Sequence, residues 1–150
     1  MSLEIRRASA ADLDAIDQVE QQSFSGEKFS RRQLRYLLTQ AQAATWLAFS
    51  EELAVGYCIG LLPHISRPAR LYSLAVLPVG RGQGIGSALI QQFIDTAMTR
   101  GYQRARLEVS EKNTIARRLY EQQGFADIKT LPDYYQPGEH GLRMQRFLAC

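Results

Sequence analysis

The chain has 150 residues, of which 45% are hydrophobic and 22% are charged, and its formal net charge is +3. This composition is typical of a soluble globular protein, and the length suits a single domain over residues 1–150. The near balance of 18 basic and 15 acidic residues excludes the strongly basic composition of many nucleic-acid-binding proteins, and we expect no nucleic-acid partner.

The cysteines indicate neither a disulfide scaffold nor a metal site. Cys58 and Cys150 form no Cys-x-x-Cys pair, and no spacing of His, Cys and Asp residues suggests metal ligands. We expect Cys58 to be a buried, unreactive thiol. The start, MSLEIRRASAAD, lacks an apolar signal segment, and no apolar run approaches the ~20 residues that span a bilayer. These features favour a cytoplasmic protein with no membrane partner.

The first part of the chain predicts a strand, two helices and two further strands. LEIRRA is typical of a short strand, and Ser9 can cap the amphipathic helix that follows it. After a loop, SFSGEKFS, the pair Ser30 and Gln33 forms a capping-box pattern that predicts a second helix, RRQLRYLL. TWLAFS and AVGYCIGLLP are strand-like, with a tight turn at Glu51 and Glu52 between them.

The middle of the chain predicts a strand, a glycine-rich turn and a long helix. The strand ARLYSLAVLP ends at Pro78, which cannot donate a ladder hydrogen bond. Beyond the turn RGQGIG, apolar residues four apart, from Ile85 to Ala97, predict an amphipathic helix that Gly101 ends.

The last part of the chain predicts three strands and a short helix. In RARLEVS, the apolar residues alternate with polar ones, so Glu108 faces away from Leu107 and Val109. A helix is expected from Asn113 to Gln123, and FADIKTL and GLRMQRFL are expected to be strands around a polar loop, PDYYQPGEHG. The mixture of hairpin-like and crossover connections indicates a mixed sheet flanked by helices.

The glycine-rich turn does not match the two common nucleotide-binding motifs. A dinucleotide fingerprint would place its third glycine at Ile85 or Ser87, and a P-loop requires a lysine that this segment lacks. Its glycines still allow close backbone approach to a ligand, and the free N–H groups at the start of the helix can bind a pyrophosphate. A plain strand-to-helix turn would look the same from these six residues alone.

Two longer motifs resemble the GNAT superfamily of acyl-CoA N-acyltransferases. They are LAVLPVGRGQGIGSAL (74–89) and LEVSEKNTIARRLYEQQGF (107–125). The resemblance implies the GNAT fold, an α/β (α+β) architecture with a mixed, mostly antiparallel sheet of six to seven strands. That sheet is splayed in its middle and flanked by about four helices. Glu108, Asn113, Tyr120 and the later Tyr-Tyr pair are most similar to the ribosomal-protein alanine N-acetyltransferase type, whereas QPGEHGLRMQRF departs from it.

The resemblance implies that acetyl-CoA is the donor and coenzyme A the product. A bulge would splay the strand that carries Leu74, Ala75 and Val76, whose backbone would pair with the pantetheine arm, and the Val76 N–H would stabilise oxyanion charge. Asn113 either contacts the pantetheine arm or caps its helix. The pyrophosphate would lie on the glycine-rich turn and the start of the helix, formed by Arg81, Gly82, Gln83, Gly84, Ile85, Gly86 and Ser87.

The same resemblance assigns the chemistry to Glu108 and Tyr120. Glu108 would accept a proton from the acceptor amine through a water molecule, because only the neutral amine attacks. Tyr120 would donate a proton to the departing thiolate, a transfer that ordinary pKa values make uphill by about 2 kcal/mol, or would only hydrogen-bond the sulfur. Transfer is expected to be direct, in a ternary complex. A buried core tyrosine and a solvent-exposed glutamate are the corresponding structural alternatives.

The acceptor is expected to be a protein amino terminus or a lysine. Phe29, Tyr134 and Tyr135, together with Arg143, would line its groove, although exposed loop tyrosines would have the same sequence. A small-molecule amine and a non-catalytic acyl-CoA sensor are the alternatives. We expect a monomer or a homodimer.

Overall fold

A seven-stranded mixed sheet forms the centre of the computed structural model, which describes residues 3–23 and 28–148. The strands are β1 (Leu3–Arg7), β2 (Ala43–Ser50), β3 (Leu53–Leu61), β4 (Ala69–Val76), β5 (Arg104–Ser110), β6 (Ala126–Gln136) and β7 (Glu139–Phe147). Their order is β1-β2-β3-β4-β5-β7-β6, and all neighbours are antiparallel except β4 and β5. The predicted mixed, mostly antiparallel sheet is confirmed.

Four α-helices flank this sheet. They are α1 (Leu13–Ser23), α2 (Arg31–Thr39), α3 (Ile85–Thr99) and α4 (Thr114–Gln122). Ser30 caps α2 with Gln33 as predicted, whereas the capping box of Ser9 begins a short 3₁₀ turn that leads into α1. Part of the predicted loop SFSGEKFS, residues 24–27, lies outside the described residues. Within the described part of the chain, no helix is long and apolar enough to cross a membrane.

The two faces of the sheet carry two separate cores. Successive residues of a strand point to opposite faces, and in β2 Trp46 belongs to one core and Leu47 to the other. The first core packs α3, through side chains such as Phe93, against one face. The second packs α1 and α2 over β2, β3 and β4 on the opposite face. β6, at the edge of the sheet, is exposed along most of its length.

The sheet splits between its two parallel strands. β4 and β5 pair only through Ala69 with Ala105 and Arg70 with Arg106, after which they diverge. A register shift between β3 and β4 leaves Tyr72 as an extra residue in β4. A bulge of this kind bends a strand away from its neighbour. The splayed centre that the family resemblance implies is therefore present, and it leaves one edge of β4 unpaired.

The predicted polar loop between the last two strands is wrong. β6 continues to Gln136 and β7 begins at Glu139, so only a two-residue turn separates them. Tyr134 and Tyr135 consequently lie in a strand. Pro132 is tolerated because β6 has no further neighbour on one side, so a missing N–H breaks no ladder there. The turn itself uses Gly138 at a φ of 82°.

Candidate active site

The glycine-rich turn forms an open concave surface in front of α3. Gly82 and Gly84 have φ values of 80° and 73°, which L-residues rarely adopt. A Cβ atom at either position would meet no other atom within 4 Å. The backbone is therefore bare on the side that faces a cavity of about 410 Å³ between the turn and α4. Two arginines, Arg81 of the turn and Arg118 of α4, line this cavity.

The first N–H groups of α3 are available to a ligand at this cavity. The Ala88 N–H donates to the Gly84 carbonyl at 3.0 Å, which is the first hydrogen bond of the helix. Among the described residues no side chain caps the helix, and the N–H groups of residues 85–87 have no intrahelical acceptor. With the helix dipole and two arginines, they make a site suited to a phosphate or pyrophosphate. Ile85, Gly86 and Ser87 line the same cavity.

Gln83 differs from its neighbours in the turn. Its side-chain oxygen accepts a hydrogen bond from Ser50 at 3.1 Å, and its amide nitrogen donates to the Val79 carbonyl at 3.1 Å. Both contacts tie the turn to the body of the protein. The side chain of Gln83 therefore braces the turn.

The unpaired edge of β4 exposes the backbone of Val76 and Leu74. The Leu77 N–H donates to the Val55 carbonyl at 2.8 Å, so Leu77 and, two residues earlier, Ala75 direct their backbone groups to β3. Val76 and Leu74 point the other way, toward the gap before β5. Ala75 instead contributes its side chain to the core beneath α1.

A second cavity, of about 590 Å³, occupies the gap between β4 and β5, and we call it the cleft. It brings together both predicted catalytic residues, Glu108 and Tyr120, although they come from different elements and approach from opposite faces of the sheet. Leu74, Asn113 and Tyr135 also line it. The cleft is where the predicted site residues of β4, β5 and α4 meet.

Glu108 lies between two arginines. Its Oε1 accepts a hydrogen bond from Arg70 Nε at 2.8 Å and lies 2.6 Å from Arg70 Nη2 in the same ion pair, and its Oε2 accepts a hydrogen bond from Arg143 Nε at 2.9 Å. Its side chain is only 7% exposed, so the solvent-facing alternative does not apply. Charge-assisted hydrogen bonds to both oxygens hold the carboxylate in one orientation.

Tyr120 extends from α4 into the cleft and packs edge-on against Phe125, with ring centroids 6.2 Å apart. It is buried, and burial raises the pKa of its hydroxyl well above the ordinary value, with a smaller contribution from Tyr135. Within the chain as described, no hydrogen bond to another residue engages this hydroxyl. The phenol therefore stays neutral and keeps its proton available as a donor.

Asn113 caps α4 and also borders the cleft. Its side-chain oxygen accepts from the Ala116 N–H at 3.1 Å. The two predicted roles need not compete, because an amide has an acceptor end and a donor end. The oxygen serves the helix, and the nitrogen is left for a ligand in the cleft.

Of the three aromatic residues predicted to bind the acceptor, Tyr134 and Tyr135 line cavities that contain Glu108, whereas Phe29 lines neither of these cavities and contacts Tyr72 behind them. The centroid of the Phe29 ring lies 5.6 Å from that of Tyr72. The backbone N–H of Phe29 donates at 2.8 Å to the buried carboxylate of Glu20. Neighbours on β6, Tyr134 and Tyr135 form an edge-on pair with centroids 5.0 Å apart. Burial raises the pKa of Tyr135 to about 12, with further contributions from Tyr134 and nearby carboxylates.

Several residues of the site were missed by the sequence analysis. Arg70 was not predicted, although it contacts Glu108 directly. The alternation of polar and apolar residues along β4 predicts that Arg70 points away from the core. No local sequence pattern predicts that Arg70 lies beside β5. Arg118 lies within the second family motif and could have been predicted as a positive charge facing the turn. Cys58 is fully buried, as predicted, and burial raises the pKa of its thiol.

Comparison with known proteins gives a consistent result. Residues 12–125 match the model of the acetyltransferase (GNAT) family. An uncharacterised N-acetyltransferase of Methanocaldococcus jannaschii is 31% identical over 93% of this chain and 88% of its own. An N-alpha-acetyltransferase of Sulfurisphaera tokodaii is 30% identical over 93% and 90%. The ribosomal-protein-S18-alanine N-acetyltransferase of Escherichia coli has a similar structure, with a TM-score of 0.90 at 24% identity over 99% and 96%.

Proposed function

The chain belongs to the acetyltransferase (GNAT) family, and on that premise we propose that it transfers the acetyl group of acetyl-CoA to a protein or peptide amino terminus. The observation that carries the proposal is the cleft, in which Glu108 and Tyr120 meet beside the unpaired edge of β4. A relative similar along nearly the whole chain is an N-alpha-acetyltransferase, which favours an α-amine over a lysine.

The glycine-rich turn and the start of α3 would hold the donor by its pyrophosphate. The free N–H groups of residues 85–87 would donate to the phosphate oxygens, and Arg81 and Arg118 would add positive charge. From there, the unpaired backbone groups of Leu74 and Val76 would guide the pantetheine arm along β4 as an added strand does. The Asn113 amide nitrogen would donate from the other wall of the cleft.

Acetyl-CoA, when bound, supplies an acetyl thioester, and the residues of the chain stabilise the charges that develop during transfer. The Val76 N–H lies at the end of the unpaired edge, where it would donate to the thioester oxygen as negative charge grows there. Such a donor needs no reorganisation, because the pairing of β3 with β4 already fixes its direction.

Glu108 would accept the proton of the attacking amine. Each of its oxygens already accepts hydrogen bonds from one arginine, but a carboxylate offers about four acceptor positions, so an ordered water can still donate to it. The water would relay the proton from the amine. Arg70 and Arg143 would act as positioning residues that fix the carboxylate at the cleft.

Tyr120 would donate a hydrogen bond to the departing sulfur. Its raised pKa makes complete proton transfer to a thiolate less favourable than ordinary values suggest. The same shift keeps the hydroxyl protonated and therefore able to donate throughout the neutral pH range. We therefore assign Tyr120 the stabilisation of the thiolate and leave its final protonation to water.

The proposal is tested by locating the acetyl group on a product peptide. The chain is incubated with acetyl-CoA and a peptide that has a free amino terminus and one internal lysine, and the product is fragmented in a mass spectrometer. We expect acetyl on the α-amine, accompanied by an equal amount of released CoA thiol. A matched peptide with a blocked amino terminus is expected to remain unmodified. Acetylation of the lysine alone would contradict the proposed acceptor, and no acetylation of any amine would contradict the activity.

A further inference from the structure

A third cavity, of about 670 Å³, lies beside Glu108 on the face of the sheet that carries α2, and four of its five charged lining residues are arginines. It shares Tyr72 and Glu108 with the cleft, so the two spaces meet at the catalytic carboxylate. Its volume suits a ligand larger than a single amino acid. We call this space the basic pocket, and its charged lining residues are Arg67, Arg70, Arg106, Arg143 and Glu108.

The basic pocket carries more positive charge than its own residues neutralise. Four arginines face one glutamate, so the excess of three charges equals the net charge of the entire chain. Arg70 and Arg143 share the single carboxylate of Glu108. Clustered cations of this kind repel one another and raise the local concentration of anions.

Among the described residues, Arg106 forms no salt bridge with a carboxylate, although the charge of Glu108 acts on it from the same strand. It is half-buried and donates through Nε and Nη2 to the neutral Gln145 oxygen at 3.3 and 2.8 Å. Burial lowers its pKa, and the neighbouring charges of Arg143 and Arg104 lower it further. An anion in the pocket would relieve both effects, since a guanidinium pairs with a carboxylate through two parallel hydrogen bonds.

The position of the pocket connects this charge to the acceptor. An amine placed at Glu108 for transfer would extend the rest of its molecule into the basic pocket, past Tyr72 and Tyr134. A basic acceptor would be repelled there. We propose that the acceptor is an acidic amino-terminal peptide, with Asp or Glu at its second and third positions bound by the arginines of the basic pocket. This inference rests on the proposed function.

The experiment compares three peptides of equal length that differ only at their second and third positions. These are Glu-Asp, the isosteric Gln-Asn, and Lys-Arg, and each is measured for turnover and, with CoA present, for binding by calorimetry. We expect kcat/KM for the acidic peptide to exceed that of the neutral peptide by about tenfold, and the advantage to shrink as salt is raised.

Matched variants assign the effect to the pocket. Arg67 is exposed and Arg106 has only a neutral partner, so Arg67→Gln and Arg106→Gln remove charge without breaking an ion pair of the described structure. The double variant is expected to lower the preference for the acidic peptide to within about threefold of the neutral one. Arg100→Gln, the same change at the exposed end of α3, is expected to preserve it.

The outcomes separate this inference from the proposed function. Acetylation of all three peptides at similar rates would overturn the acidic acceptor and leave the activity standing. Faster acetylation of free glutamate than of the acidic peptide would also overturn it, in favour of a small acceptor. If no peptide is acetylated, the proposed function fails, whereas tighter binding of the acidic peptide that depends on Arg67 and Arg106 would still support the basic pocket.

Discussion

At the scale of single residues, the chemistry depends on how the surroundings of Glu108 and Tyr120 differ. Glu108 lies between two cations, and its carboxylate accepts one hydrogen bond from Arg70 and one from Arg143. Tyr120 is surrounded by apolar atoms, and burial keeps its hydroxyl neutral. The first environment suits a group that accepts a proton through water, and the second suits one that donates a hydrogen bond.

Replacing Glu108 with glutamine is expected to lower kcat/KM by about a hundredfold or more near pH 7, because the relay from the amine to the carboxylate is lost. The loss should become smaller as pH rises past the pKa of an α-amine, near about 8, because the acceptor then arrives deprotonated. The measurement is kcat/KM from pH 6 to 10. Glu121→Gln, the same change on the exposed side of α4, is the control. An equal loss for Glu108→Gln at every pH would argue against a base.

The pH profile also tests Tyr120. Because its folded pKa is raised, the hydroxyl stays protonated below that value, and the rate of the native chain should not fall between pH 8 and 10. Tyr120→Phe is expected to lower kcat by about tenfold across this range, with little change in KM for acetyl-CoA. Tyr102→Phe, a buried tyrosine outside the cleft, should leave kcat unchanged. A decline above pH 8 that disappears in Tyr120→Phe would contradict this assignment.

At the scale of elements, the glycine-rich turn depends on Gly82 and Gly84, which both have positive φ values. Their open side faces the cavity between the turn and α4. Gly84→Ala is expected to strain the turn by about 1–2 kcal/mol. It should also raise KM for acetyl-CoA, because the new methyl group occupies the space where phosphate would lie. Gly138→Ala adds a methyl group at a similar φ in the β6–β7 turn, again with no atom within 4 Å.

These two alanine variants separate strain from binding. Both should lower the melting temperature, but only Gly84→Ala should weaken the binding of CoA by calorimetry. An equal effect of both variants on CoA affinity would mean that the turn has no part in holding the donor.

The sequence predicted most accurately the elements that a pattern of neighbouring residues specifies, such as a helix cap or an alternation of polar and apolar residues. Ser30 and Gln33 form their capping box, and the alternation of RARLEVS matches the burial of β5. The last two strands were predicted, but their extension to a two-residue turn was not, because a proline and polar residues suggested a longer loop and only the edge position of β6 makes them acceptable.

The two residues to which we assign the chemistry, Glu108 and Tyr120, were proposed from the family motif, but the residues that surround them were not predicted. The alternation of polar and apolar residues along β5 predicts only that Glu108 points away from Leu107 and Val109. That orientation is compatible with solvent and with a cleft. The parallel pairing of β4 with β5 decides this, since it places Arg70 beside Arg106 and brings Arg70 to Glu108. That register joins residues more than thirty positions apart, and no local pattern specifies it.

At the scale of the whole molecule, the sheet has a positively charged cavity on each of its two faces. The cleft between β4 and β5 lies between these two cavities. The glycine-rich turn lies at the start of α3, on one face, and the basic pocket lies on the other. The cleft passes between β4 and β5 and connects the sides at Glu108. Donor and acceptor can therefore approach from different directions and be bound at the same time, which a direct transfer requires.

Steady-state kinetics test this central claim most directly. Initial rates are measured over a grid of acetyl-CoA and acidic peptide concentrations and drawn as double-reciprocal lines. Direct transfer in a ternary complex predicts lines that intersect, and a chain that acquires no acetyl group when incubated with acetyl-CoA alone. Parallel lines, with acetylated chain detected by mass spectrometry before peptide is added, would contradict it, because they indicate a covalent intermediate.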